Sequence, residues 1–311
     1  MKEIGGYFGL ERFTGHEYHE NVIRVNSGRN ALLYILKAKR VNKLYIPRFL
    51  CDSVTTLCKR EGYSYEEYPI DESFMPVFSQ KLEDGAYLYI VNYYGQISNE
   101  QIVDLQQRFD RIIFDNVQAF FQKPVPGIDT VYSCRKFFGV PDGGYAATDT
   151  FLDELLMTDI SGERMKHVLG RFEGNASDYY GEFLKNDECF YELPLRIMSP
   201  LTRNLLCGID YAWVQMKRNE NYAYLDSLLG INNKLQLSTQ DGPYCYPFYC
   251  ENGMDLKRKL AEQKIYVPTL WPNVLPLDGT IEKDFAENIL PLPCDQRYSL
   301  KDMAAIISQL R

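Results

Sequence analysis

Between residues 28 and 148 the chain alternates short apolar runs with stretches whose apolar positions recur at helical spacing, the pattern of a parallel α/β sheet. Ser27 reads as the N-cap of a helix from Gly28 to about Lys39, with Ala31, Leu32, Ile35 and Leu36 on one face. Strands are predicted at Leu44–Pro47, Tyr65–Ile70, Tyr87–Asn92, Arg111–Asp115, Thr130–Ser133 and Gly144–Thr148, with helices near 50–60 and 99–109. Residues 150–200 are charged and aromatic, with mixed helical signal. One long helix is predicted at 203–229, carrying Ile209, Trp213, Met216, Tyr224 and Leu228 and stopping at Gly230. Strands at 244–249 and 264–267 then flank a helix at 254–263, and Ser299 with Asp302 resembles the capping box of a last helix. The pattern divides the chain into a large α/β domain, residues 1–195, and a small α+β domain, residues 196–311.

The 311 residues carry 34 Lys+Arg against 42 Asp+Glu, a net charge of −8, with 45% hydrophobic content. That composition is globular. The acidic balance, without a long basic block, speaks against a nucleic-acid polymer as partner. No uncharged apolar run reaches eighteen residues and the N-terminus lacks a signal-peptide core, so neither a membrane span nor export is expected and the cytoplasm is the expected compartment. Eight scattered cysteines without a CxxC pair read as free thiols. His16 and His19 fit no metal-ligand spacing, so no metal is expected and the segment reads as a polar stretch. Tyrosines, 24 in all, cluster at 87, 89, 93 and 94 and at 244, 246 and 249, as rings do on half-buried strands and interfaces.

GxGxxG, GxxxxGK[ST] and GxSxG are all missing, which removes the usual dinucleotide, P-loop and nucleophile-elbow readings. Three segments offer chemistry instead. In Ser133-Cys-Arg-Lys136-Phe-Phe-Gly-Val-Pro-Asp142-Gly-Gly144 a lysine follows a strand in an apolar setting, where desolvation would neutralise its amine for Schiff-base chemistry; a surface lysine before a Pro-Asp-Gly turn is the plainer account. Asp115 ends an apolar strand and Gln118 follows three residues on, so both project from the carboxyl edge of the sheet, where open α/β folds bind ligands. An Asp there can hold a pyridinium nitrogen protonated, or simply cap a helix. Asn26-Ser27-Gly28-Arg29-Asn30 opens a helix whose backbone N–H groups would seat a phosphate.

The order SG, DxxQ and K-x5-DGG over residues 27–144 resembles the DegT/StrS family of sugar aminotransferases, pyridoxal-phosphate enzymes of fold type I. Gly5-Gly6-Tyr7-Phe8-Gly9-Leu10-Glu11, Val91-Asn92-Tyr93-Tyr94-Gly95 and Val267-Pro268-Thr269-Leu270-Trp271-Pro272 are similar to further family segments. The resemblance implies Lys136 as the Schiff-base lysine, Asp115 as partner of the pyridine nitrogen and Gln118 as partner of the ring hydroxyl. It implies Ser27, Gly28, Arg29 and Ser133 around the phosphate, and Asn92 among the cofactor contacts. Arg29 replaces the family's usual Thr. Cys51 occupies the place of the ring-stacking aromatic, with Phe49 two positions before it as the substitute stacker.

The activity so implied is transfer of an amino group, with glutamate as donor, to a nucleotide-linked keto-sugar in sugar or cell-surface polysaccharide biosynthesis, by a homodimer. The apolar run between Lys136 and Asp142 departs from the family's Thr and Gly-Glu residues. Another fold type I enzyme, a lyase or amino-acid transaminase, a cofactor-binding protein without turnover, and a structural protein without the cofactor are the competing accounts.

Overall fold

The computed structural model describes residues 4–238 and 240–310. Among these, seven strands form one sheet: β1 (Ile23–Val25), β2 (Lys43–Pro47), β3 (Ser64–Tyr68), β4 (Ala86–Val91), β5 (Ile112–Asp115), β6 (Asp129–Ser133) and β7 (Gly144–Ala147), in the order β1-β7-β6-β5-β4-β2-β3. Neighbouring strands from β3 to β6 run parallel, while β7 is antiparallel to both β6 and β1. Helices α1 (Gly28–Ala38), α2 (Asp52–Glu61) and α3 (Asn99–Phe109) connect the strands. Leu44, Ile46, Leu88, Ile90, Ile113 and Phe114 are buried with Ala31, Leu32, Ile35 and Leu36 of α1, forming the core of the sheet. Parallel strands covered on both faces read as continuous apolar runs, which is why these were visible in the sequence.

The predicted elements of this half recur within a residue or two, and β1 is an addition. Its three residues are too few for a periodic signal; β1 exists because Ile23, Arg24 and Val25 pair with Ala146, Tyr145 and Gly144 of β7. Residues 150–200 contain α4 (Lys166–Glu173) and α5 (Tyr180–Cys189).

The single helix expected at 203–229 is two: α6 (Pro200–Leu206) and α7 (Tyr211–Leu229). The break falls at Gly208, where a Cβ would lie 2.9 Å from the Phe13 ring, and Asp210 restarts the helix by accepting from the Trp213 N–H at 3.0 Å. The second sheet pairs β8 (Tyr246–Tyr249) with β9 (Ile289–Leu292), antiparallel. α8 (Gly253–Glu262), α9 (Ile281–Asn288) and α10 (Leu300–Leu310) complete this part, with Tyr222, Leu225, Phe248, Leu260, Leu290 and Ile306 in its core. Residues 264–267 form no strand: Lys264 turns with φ +60° and the chain leaves the sheet. The strand is instead β9, whose Pro291 and following Pro293 hide it, since proline is tolerated only at sheet edges.

All eight cysteines are free. No helix among the described residues is long and apolar enough to cross a membrane.

Candidate functional site

The carboxyl ends of β5 and β6 and the N-terminus of α1 meet at one place. Gly28 lies so close to β6 that a Cβ there would be 3.1 Å from the Ser133 Cβ and 3.4 Å from Val117 Cγ1. On the other side Gly144 abuts the start of α1, where a Cβ would fall 2.4 Å from the Ser27 carbonyl carbon. The second glycine of the Asp-Gly-Gly run thus lets β7 touch the helix end, and no side chain fits there. Ser27 caps α1 by accepting from Asn30 N–H at 3.1 Å, with no acidic residue in the first turn. The Ser133 hydroxyl makes no hydrogen bond among the described residues, which leaves it available beside that helix end.

Asp115 closes β5 and is 4% exposed. Its Oδ2 accepts from the Tyr89 phenol at 2.5 Å and its Oδ1 from the Val117 N–H at 2.8 Å. Burial pushes the carboxyl pKa up, while the two hydrogen bonds and the Lys136 charge pull it back. Gln118, also buried, accepts at Oε1 from Tyr94 N–H at 2.7 Å. Its amide nitrogen, the donor end, has no partner among the described residues. Tyr94 itself sits at φ +56°, an unfavoured conformation for a bulky side chain, held at the end of β4.

Lys136 ends a short 3-10 turn, Cys134–Lys136, directly after β6. Its side chain is exposed to solvent. Its Nζ lies 5.6 Å from the Tyr244 ring centroid. The sequence expectation of an amine neutralised by desolvation does not hold: Tyr244 foremost, with Cys51, Asp115 and Asp187, raises the lysine above its ordinary range against the effect of burial.

Arg29 stands in the first turn of α1 with its guanidinium 4.2 Å from the Tyr191 ring centroid. Its Nε and Nη1 are buried without a hydrogen-bond partner, and so is Nη2 of Arg60, whose Nη1 donates to Tyr191 O at 2.7 Å. Burial lowers the Arg29 pKa, while Tyr191, Asp187 and Cys51 oppose it. Unpaired buried guanidinium donors are costly. They mark a place for an anion.

Two sequence assignments are corrected. Phe49 is fully enclosed: its ring stacks on Tyr93 at 5.3 Å and meets Trp271 edge-on at 4.3 Å, so it has no free face for a ligand. Cys51 is exposed at the N-cap of α2. Asn92 is completely buried and its amide is used within the fold, donating to Asn116 Oδ1 at 2.9 Å and Gln122 Oε1 at 2.7 Å and accepting from Ile97 N–H at 2.8 Å. It is a latch behind the strand ends. Asp142 of the same motif as Lys136 accepts from Ser199 N–H at 2.8 Å, from Ser199 Oγ at 2.7 Å and from the Thr202 hydroxyl, and so anchors the start of α6. His19, read as part of a polar stretch, is buried against Tyr132 at 4.2 Å.

Sequence reading missed Tyr89, Tyr191 and Tyr244 as members of the site. The tyrosine clusters were the available signal for Tyr89 and Tyr244, but nothing in the sequence tells which rings of a cluster face a cleft.

No protein-family model and no curated protein matches the sequence. Solved structures do match its fold. A DegT DnrJ EryC1 StrS aminotransferase from Brucella abortus superposes with a TM-score of 0.62 at 17% identity, over 94% of this chain and 85% of that one. DesV from S. venezuelae gives 0.65 at 16% identity, over 94% and 84%, and NtdA from Bacillus subtilis, solved with bound PMP, gives 0.67 at 14% identity, over 96% and 77%. The chain has the fold of these aminotransferases, with a large mainly parallel sheet and a small second sheet.

Proposed function

We propose, on the premise of that shared fold, that the protein is a pyridoxal-phosphate aminotransferase acting on a keto-sugar, probed first as a nucleotide-linked one with glutamate as donor. The observation that carries the reading is that buried Asp115 closes β5 while Lys136 follows the adjacent parallel strand β6, so both stand at the same edge of the sheet. Aminotransferases with this fold and pyridoxamine- or pyridoxal-phosphate in their structures support it.

The residues present fit such a cofactor. Arg29 offers unpartnered donors at a helix N-terminus beside the Ser133 hydroxyl, suited to a phosphate. Asp115 offers a carboxylate suited to a pyridinium nitrogen, and the unpaired amide nitrogen of Gln118 suits a ring oxygen. Bound pyridoxal phosphate supplies an electron sink for bond cleavage at the amino-bearing carbon. Lys136 is the group placed to hold and move the proton at that carbon through Nζ. Asp115, whose ionised form the Tyr89 and Val117 N–H hydrogen bonds favour, would orient and charge the ring-nitrogen end. Phe49 plays no part in covering the ring.

The same reading carries a homodimer and a cytoplasmic setting. Tyr7, Phe8, Leu155, Ile160 and Phe172 are exposed apolar side chains of the kind that subunit contact buries, and the eight free thiols suit a reducing compartment.

The test is the visible spectrum of the purified protein with added pyridoxal phosphate. A band that appears in the wild type and is lost in Lys136→Ala is expected. Absence of a lysine-dependent band in the wild type overturns the reading. Product analysis with glutamate then separates the substrates: transfer to nucleotide-linked keto-sugars and not to plain keto acids supports the sugar class, the converse points to an amino-acid transaminase, and no discharge by any donor points to a binding protein without turnover.

A further inference from the structure

We infer that Arg218 is a positioning residue for Lys136, acting with Gln296 through the backbone carbonyl of Phe137. The inference deepens the proposed function and rests on its reading of Lys136 as the reactive amine.

Arg218 lies on α7 and is 1% exposed. Its Nε donates to Gln296 Oε1 at 2.8 Å, its Nη1 to Pro243 O at 2.8 Å and Tyr244 O at 3.4 Å, and its Nη2 to Phe137 O at 3.3 Å. Gln296 Nε2 donates to the same Phe137 O at 2.9 Å. The guanidinium also covers the Phe137 ring at 4.5 Å from its centroid. One side chain thus ties α7, the 243–244 segment and the 296 loop to the residue that follows Lys136.

Among the described residues no carboxylate pairs directly with this buried cation. Asp295, nearby, is engaged by Arg297 at 2.7 and 2.9 Å, and burial holds the Arg218 pKa down. A buried cation satisfied only by neutral acceptors is a weak stabiliser, and an apolar residue of similar volume often serves a core as well. What the planar fork adds is simultaneous geometry on several acceptors. Tyr244, whose carbonyl it holds, presents its ring to Lys136 Nζ at 5.6 Å and to Phe137 at 5.7 Å. Arg218 therefore fixes both the backbone beside the lysine and the phenol facing it.

The charged and titratable groups around Lys136 are Tyr244, Cys51 before α2, Asp115 on β5 and Asp187 on α5; around Arg218 they are Cys294, Asp295, Arg297 and Tyr244. Arg218 is not among the leading influences on Lys136, so its removal acts through placement. Releasing Tyr244 removes the foremost group that raises Lys136.

The experiment is competitive acetylation with acetic anhydride across pH, on the full-length protein without cofactor, reading the Lys136 peptide by mass spectrometry and checking folding by thermal melts. Arg218→Met is expected to lower the Lys136 titration midpoint by about half a pH unit or more, Gln296→Leu to lower it in the same direction, and Arg218→Lys, which keeps the charge and loses the fork, to stay close to Arg218→Met. Unchanged Lys136 midpoints in folded Arg218→Met and Gln296→Leu proteins overturn the inference. Should Arg218→Met fail to fold, Gln296→Leu decides alone, because it deletes the 2.9 Å bond without removing a charge. The assay needs no cofactor, so a wild type without the lysine-dependent band sinks the proposed function and leaves this result readable.

Discussion

The Tyr89 phenol and the Asp115 carboxylate are joined at 2.5 Å on adjacent strands, Tyr89 lying two residues back from the Val91 that pairs with Asp115. The bond counters burial, which pushes the Asp115 pKa up. Tyr89→Phe removes the opposing hydrogen bond, so the Asp115 pKa rises further and the acid limb of a kcat/KM profile for amino transfer moves to higher pH. A profile superimposable on wild type would exclude that role for Tyr89.

Asp115→Asn tests the same carboxylate from the other side. A carboxyl raised by folding binds protons more tightly in the native state, so its contribution to stability is present below the unfolded pKa and lost as pH rises through the folded one. Above its raised folded pKa the ionised Asp115 therefore costs stability. The Asn variant should melt higher than wild type at pH 7 while amino transfer falls about 100-fold or more. Lower stability together with full activity would contradict both halves.

Arg29 makes a paired prediction. Its unpartnered guanidinium is a cost in the free protein and a contact in the loaded one. Arg29→Met should melt higher than wild type without cofactor and bind pyridoxal phosphate roughly 10-fold to 100-fold more weakly, the range of one or two charged hydrogen bonds. Thermal melts with and without the cofactor read both effects. Unaltered affinity would remove Arg29 from the phosphate site.

The sheet was legible because its inner strands β2, β4 and β5 are apolar on both faces and α1 opens with the cap Ser27. Lys136, Asp115 and Gln118 were legible because each follows a strand, and strand ends of an open sheet share one edge. What the sequence could not show was contact at a distance. Phe49 and Asn92 stand at the right places along the chain, yet Tyr93 and Trp271 close over one and the Asn116 and Gln122 amides take up the other. Arg218 and Gln296 follow Phe137 by 81 and 159 residues, separations over which local periodicity says nothing.

Asp142 belongs to the motif that drew notice to Lys136, but its carboxylate serves α6. Three donors from Ser199 and Thr202 converge on it in a fully buried position. Asp142→Ala leaves them unsatisfied, and a loss of about 3 kcal/mol is expected in denaturant unfolding, with broken pairing of the Ser199 segment. Asp142→Asn, which keeps one acceptor oxygen, should lose less. An Asp142→Ala protein as stable as wild type would remove Asp142 as the anchor of α6.

His19 gives the clearest dependence on pH. It is 1% exposed, its Nε2 lies 2.6 Å from Phe120 O, its Nδ1 has no partner, and burial lowers its pKa from 6.5 to about 3. The unfolded chain thus binds a proton between those two values where the folded chain does not. Stability must fall as pH drops below about 6.5, by up to about 1.4 kcal/mol per pH unit, until other groups dominate. His19→Gln keeps a donor toward Phe120 O and cannot titrate, so it should flatten that part of the curve while melting within a few degrees of wild type at pH 8. Denaturant unfolding of both proteins from pH 4.5 to 8 measures the difference. A parallel decline in the two proteins would assign the acid sensitivity elsewhere.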